Sequence, residues 1–170
     1  MEGNLFCCSS FYFPGNRRKM CEIIIEPAKD NNNLGAIVKL LDDESLTRAV
    51  GLFLPLQREN RVQAIKTFVH QNHVMVVKLN GDVVGMVVLS PWYGDEGIRI
   101  AHHYELGYLL RQDQWNKGIM TSAIQQIISI LPPKITIHAE CKQSNYRSQR
   151  VLIKCGFIYD KGDLWQRIIK

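Results

Sequence analysis

At 170 residues the chain suits one domain with a substantial core, burying roughly 70% of the surface its extended form would expose. Its five cysteines, odd in number and without Cys-x-x-Cys spacing, argue against a disulfide framework or a zinc site and point to a reducing compartment, the cytoplasm. The net charge of +5 is unevenly placed: residues 111–170 carry 10 basic and 4 acidic side chains, whereas residues 1–110 carry 11 basic and 12 acidic. The positive field therefore belongs to the C-terminal part, but its basic residues are scattered without an aromatic ladder, which argues against nucleic acid and for a bound anion. No apolar run approaches the roughly 20 residues of a membrane span, and Met1-Glu2-Gly3 lacks the basic start of a secretory signal.

Residues 1–20 read as an appendage, with an aromatic cluster Phe11-Tyr12-Phe13, then Pro14-Gly15 and the basic triplet Arg17-Arg18-Lys19. The segment is either an arm packed on a neighbour or a leader ahead of a start at Met20. The domain proper, residues 21–170, begins with a β-branched strand from Cys21 to Glu26, stopped by Pro27. Leu34, Ile37, Val38, Leu40 and Leu41 follow at helical spacing. The acidic run Asp42-Asp43-Glu44 opposes the dipole at a helix end, so Asp43 or Ser45 is a candidate cap for a further short helix. A helix over 57–70 presents Val62, Ile65, Phe68 and Val69 on one face.

Val74–Leu79 and Val83–Leu89 are β-prone runs joined by Asn80-Gly81, a type I′ hairpin signal. Gly85 inside the second run predicts a bulge or a close backbone approach. After Pro91 a loop over 92–97 leads to a strand over 98–110, in which Ile98, Ile100, Tyr104, Leu106, Tyr108 and Leu110 share a face. The turn Trp115-Asn116-Lys117-Gly118 then opens a helix with Ile119, Met120, Ala123, Ile124, Ile127, Ile128 and Leu131 on one stripe, ended by Pro132-Pro133. A strand from Ile135 to Glu140, a helix from Asn145 to Cys155 capped by Gly156, and two closing strands complete an order with four helices.

These residues resemble the GCN5-related N-acetyltransferases, and among them the ribosomal-protein N-terminal acetyltransferases of the RimJ/RimL type. The family's cofactor turn, Gln/Arg-x-x-Gly-x-Gly/Ala, is approached by Gln114-Trp115-Asn116-Lys117-Gly118-Ile119-Met120. The more specific hallmark, Asn-x-x-Ser-x-Arg-Val-Leu-x-Lys-x-Gly-Phe, stands complete from Asn145 to Phe157. Two departures touch the turn: Asn116 replaces a frequent glycine and Met120 a small residue. The resemblance, over about residues 21–168, implies an α/β (α+β) fold with a mixed, mostly antiparallel seven-stranded sheet, splayed between its central parallel strands and flanked by about four helices.

It also implies an acetyl-CoA-dependent N-acetyltransferase acting on a primary amine, a protein N-terminus or a small amine, by a monomer or homodimer. A non-catalytic CoA-binding module is the alternative. By that resemblance the pyrophosphate rests on the amides of Asn116, Lys117, Gly118, Ile119, Met120 and Thr121, and the pantetheine arm lies between Tyr108–Arg111, which includes Leu109 and Leu110, and the strand ending at Glu140. A backbone N–H near Leu109 or Leu110 is the expected oxyanion donor. An amine with a pKa near 10 needs a base, for which Glu140 is favoured by the family's placement and Glu105 is next; His102, His103 and His138 are further candidates. The family's usual acid tyrosine has Leu152 at its position here. Ser148, on the same helix face as Asn145, resembles the serine that takes that place, and Asn145 is expected to cap the helix and order the cofactor.

Overall fold

The computed structural model describes residues 23–28 and 33–170. The proposed appendage, the 20/21 boundary and the start of the first strand lie outside these residues. The described chain runs β1 (Ile23–Pro27), α1 (Leu34–Leu41), α2 (Glu44–Ala49), α3 (Arg58–Gln71), β2 (His73–Leu79), β3 (Asp82–Tyr93), β4 (Arg99–Leu110), a 3-10 turn (Gln112–Gln114), α4 (Ile119–Ile130), β5 (Thr136–Glu140), α5 (Tyr146–Lys154), β6 (Ile158–Lys161) and β7 (Leu164–Ile168). One seven-stranded sheet has the order β1-β2-β3-β4-β5-β7-β6, antiparallel throughout except where β4 meets β5. The mixed, mostly antiparallel sheet expected from the sequence is thus present. No helix among the described residues is long and apolar enough to cross a membrane.

Among the described residues five helices flank the sheet, in keeping with the expected number of about four, and the additional short one is α2. The acidic run starts a helix instead of ending one: the Asp43 carboxylate accepts the N–H groups of Ser45 at 2.9 Å and Leu46 at 3.4 Å, and Glu44 sits in the first turn, where a negative charge meets the positive end of the dipole. Two further corrections concern the β3–β4 connection. Trp92 and Tyr93 belong to β3, and only a tight turn across Gly94–Gly97 separates it from β4. Ile98 and Ile100 do not share the buried face of Tyr104 and Leu106, being 65% and 39% exposed. A register break between Pro91 and Tyr93, with His102 at φ 63°, interrupts the alternation there.

The Asn80-Gly81 turn has positive φ at both residues, as a type I′ hairpin requires. Gly85 meets both expectations placed on it. The β2–β3 register shifts beside it, and a Cβ there would lie 2.5 Å from the Leu109 carbonyl oxygen. Two buried clusters flank the sheet. One joins α4 and α5 to the face bearing Val87, Leu89, Tyr104, Leu106 and Ile137; the other joins α1–α3 to the opposite face through Val74, Val76, Met86, Val88 and Leu109. Leu152 is fully buried between α5 and the first cluster.

Because nothing but a hydrogen fits between Gly85 and β4, Gly85→Ala is expected to destabilise the fold by about 1–3 kcal/mol, as overpacking does. Denaturant unfolding of the two proteins measures the difference.

Candidate active site

The site follows from where β4 and β5 stop pairing. Their parallel ladder covers only His103 with Thr136, Tyr104 with Ile137, and Glu105 with His138. Beyond that point β4 stays with β3 as far as Leu110, opposite Gly85, while β5 stays with β7 as far as Glu140, opposite Leu164. Each strand keeps its outer neighbour and loses its inner one, so a wedge opens whose apex is Glu105/His138. The Arg111 N–H donates to Val84 O, and backbone direction alternates along a strand. The odd-numbered residues of β4 therefore turn their amides to β3, and Leu106, Tyr108 and Leu110 turn theirs to the wedge. Leu109 thus faces β3 and is not the amide available in the gap; Leu110 is.

The turn at the top of β4 closes this wedge at its wide end. Asn116 and Gly118 both have left-handed backbone, φ 61° and 76°. Asparagine is among the few side chains that tolerate this region, so its replacement of a glycine leaves the turn intact. Among the described residues no backbone carbonyl accepts the N–H groups of 116–121, and no acidic residue occupies the first turn of α4. These amides and the dipole behind them favour a negative group. The side chains of Ile119 and Met120 are buried in the core, so the larger residue at 120 is absorbed there. Arg111 is engaged by Asp113 in two contacts of 3.0 and 2.6 Å, and Lys117 donates to Gln114 at 3.1 Å.

Side chains span the gap where the ladder does not. The Tyr108 and Ser148 hydroxyl oxygens lie 2.5 Å apart, and Tyr108 also donates to the Ser148 carbonyl at 3.2 Å. The Arg147 guanidinium sits 4.6 Å above the Trp115 ring, whose N–H donates to Leu110 O at 2.7 Å. Asn145 caps α5, its Oδ1 accepting the Ser148 N–H at 3.2 Å, the capping role expected of it. Burial holds the Tyr108 hydroxyl far above the usual tyrosine range, against a smaller opposing pull from Ser148. The phenol is therefore protonated. Sequence reasoning named Ser148 but missed Tyr108 as its partner; the signal was a wedge-lining tyrosine on β4 combined with the tyrosine-less position at Leu152.

The opposite face of the apex carries the ionisable groups. Glu105, His138, His103 and Glu140 all project from the side away from α4 and α5. Burial, with the charge of Glu140 adding to it, pushes the Glu105 carboxyl above the usual glutamate range. Glu140 is exposed. His103 Nδ1 and His138 Nε2 are 2.9 Å apart, and Trp92 stacks on His138 with ring centres 4.4 Å apart. His138 is only 8% exposed, and its Nδ1 has no hydrogen-bond partner. Burial and the neighbouring His103 hold its pKa down, so the ring is biased towards the neutral form. His102 is exposed and outside this group.

The fold is shared widely. The ribosomal-protein-S5-alanine acetyltransferase of Vibrio fischeri superposes with a TM-score of 0.68 at 18% identity, covering 96% of this chain and 98% of that one. The Salmonella typhimurium protein yncA, solved with its cofactor acetyl-CoA, gives 0.63 at 17% identity over 87% and 94% of the two chains. A GNAT-family acetyltransferase of Bacillus anthracis gives 0.59 at 21% over 86% and 92%. No curated protein sequence matches. The family model described as the acetyltransferase (GNAT) domain matches residues 22–158, most of the length, and the chain therefore belongs to the GNAT acetyltransferase family.

Proposed function

We propose that the protein is an acetyl-CoA-dependent N-acetyltransferase acting on a primary amine. The observation that carries this reading is the wedge between β4 and β5, three paired residues deep at its root and closed at its wide end by a turn of unpartnered amides. Acetyl-CoA supplies an activated acetyl thioester. The amides of residues 116–121 suit its pyrophosphate, and the wedge-facing amides of Tyr108 and Leu110 suit the extended arm, as an added strand would be held. The similar fold of a protein solved with acetyl-CoA supports the same reading. The resemblance of Asn145–Phe157 to the ribosomal-protein subgroup, and the fold shared with an S5-alanine acetyltransferase, keep a protein α-amine among the acceptors alongside small amines.

The residues divide the proton chemistry between the two faces of the gap. Glu105 is the base: burial and the neighbouring Glu140 raise its pKa, which makes it a better proton acceptor than an ordinary glutamate. This departs from the preference for Glu140, which lies farther from the apex and more open to solvent. Tyr108 is the acid, its hydroxyl kept protonated by burial and backed by Ser148, on the face from which a leaving thiolate is reached. The wedge-facing amide of Leu110 is placed to stabilise the oxyanion.

Calorimetric titration with acetyl-CoA is expected to show binding, and thiol release across an amine panel to show turnover; binding without turnover supports the non-catalytic module instead. Glu105→Gln is expected to lower kcat about a hundredfold, the usual worth of a positioned base. In the wild type, kcat/KM falls as pH drops through the raised Glu105 pKa, so the acid limb lies above the ordinary glutamate range.

The same carboxyl yields a prediction independent of the acceptor. A folded pKa above the unfolded one means stability that is full below the unfolded value and lost as pH rises through the folded value. Glu105→Gln is therefore expected to raise the thermal midpoint near neutrality but not at about pH 4, which scanning calorimetry at the two pH values resolves. Tyr108→Phe, which keeps the ring and removes the hydroxyl, is expected to lower kcat about tenfold, less than loss of the base because a thiolate leaves reasonably well unaided. An unchanged kcat removes Tyr108 from the mechanism.

A further inference from the structure

The acceptor-side face of the apex holds more carboxylate than one amine requires. Neither Glu105 nor Glu140 has an ion pair or hydrogen bond with any described residue, and each sits on the same face of neighbouring strands. Glu140 lies two residues beyond the register partner of Glu105, about 6.6 Å along a strand, with about 4.8 Å between paired strands. Their register partners on the outer strands are neutral: Ser90 on β3 is opposite Glu105, Gln166 on β7 is opposite His138, and Leu164 is opposite Glu140. Lys161 stands across Leu164 from Glu140 without forming an ion pair, and Asp160 adds a further negative charge felt by His138.

A second observation is independent of the acids. The His138 Nδ1 is buried and lacks a partner, although Trp92 stacks on the ring and His103 meets its Nε2. Buried polar atoms are nearly always satisfied, and this one belongs to the residue paired in register with Glu105, so it is an acceptor left over for a ligand donor. A neutral imidazole with Nε2 donating to His103 leaves Nδ1 as an acceptor, which an ammonium N–H satisfies.

We propose that the acceptor is a small amine with two positive charges, a diamine or longer polyamine. One nitrogen meets Glu105 and His138 at the apex and reacts, while the second stays charged against Glu140. This rests on the transferase reading above and names its acceptor class. Protons and bonds balance: the reacting ammonium gives one proton to Glu105, its nitrogen forms the new C–N bond as the C–S bond breaks, the thiolate takes a proton from Tyr108, and the second proton shed by the acylated nitrogen restores the phenol. A single carboxylate would serve a monoamine equally well, so the second charge is the distinguishing feature.

The test compares 1,4-diaminobutane with butylamine, which has the same carbon chain and one charge. Thiol release from acetyl-CoA gives kcat/KM for each, and NMR titration of the protein with each amine gives binding without turnover. The diamine is expected to exceed butylamine at least about tenfold in both, the ratio that 1.4 kcal/mol of ion pairing produces. Glu140→Gln is expected to bring that ratio close to one, whereas Glu140→Asp keeps most of it. Equal values for the two amines, a ratio insensitive to Glu140→Gln, or turnover of neither amine by a protein that binds acetyl-CoA overturns the proposal. Failure to bind acetyl-CoA removes the transferase reading instead, and the NMR titration then still decides whether the two-charge site exists.

Discussion

Everything at this site depends on a conflict of allegiance between two strands. β4 pairs with β3 along almost its whole length, and β5 pairs with β7 along all of its own, but the two share only three residues with each other. Sheet twist lets the halves diverge once the ladder between them lapses. The resulting gap leaves main-chain amides of β4 unpaired inside the fold, while side-chain contacts from α5, Ser148 to Tyr108 and Arg147 to Trp115, span it. β4 is packed on both faces, through Leu106 and Leu110 on one and Leu109 on the other, whereas β5 is packed through Ile137 and Ala139 on one face.

The two faces of the sheet are chemically unlike, and this asymmetry gives the site its direction. On the side of α4 and α5 the wedge is lined by Tyr108, Ser148 and the unpartnered amides of a helix start, all groups that donate protons or stabilise negative charge. On the other side stand Glu105, Glu140 and a histidine biased to neutrality, groups that accept protons and attract cations. Among the described residues α1 packs mainly against β3 and α3 against β2, and the cluster they build does not extend to β5 or β7. One face of the apex therefore suits an anionic group and the other a cationic one.

Much of this was legible in the sequence because it is set by local chemistry. Asn80-Gly81 specifies a hairpin through its positive φ angles, Gly85 marks a close approach, and the Asn145–Phe157 run carries both the cap of α5 and its buried face. The acidic run at 42–44 was ambiguous because the same residues serve a helix start or a poor helix end; only the Asp43 cap decides it. What could not be read were pairings made through space. Tyr108 and Ser148 are 40 residues apart, and His103 and His138 are 35 apart. The choice between Glu105 and Glu140 likewise depends on how deeply each carboxylate sits, a property of the neighbouring strands and not of either residue.

The short parallel ladder behaves like the tip of a crack. Opening or narrowing the mouth turns the two half-sheets about His103–Glu105 and Thr136–His138, while the links at the mouth, Tyr108 to Ser148 and Arg147 to Trp115, are side-chain contacts that can exchange partners without cutting any main-chain bond. Leverage therefore falls on a few hydrogen bonds beside the ionisable cluster, so that whatever spreads the wide end also sets the spacing of the groups at the root.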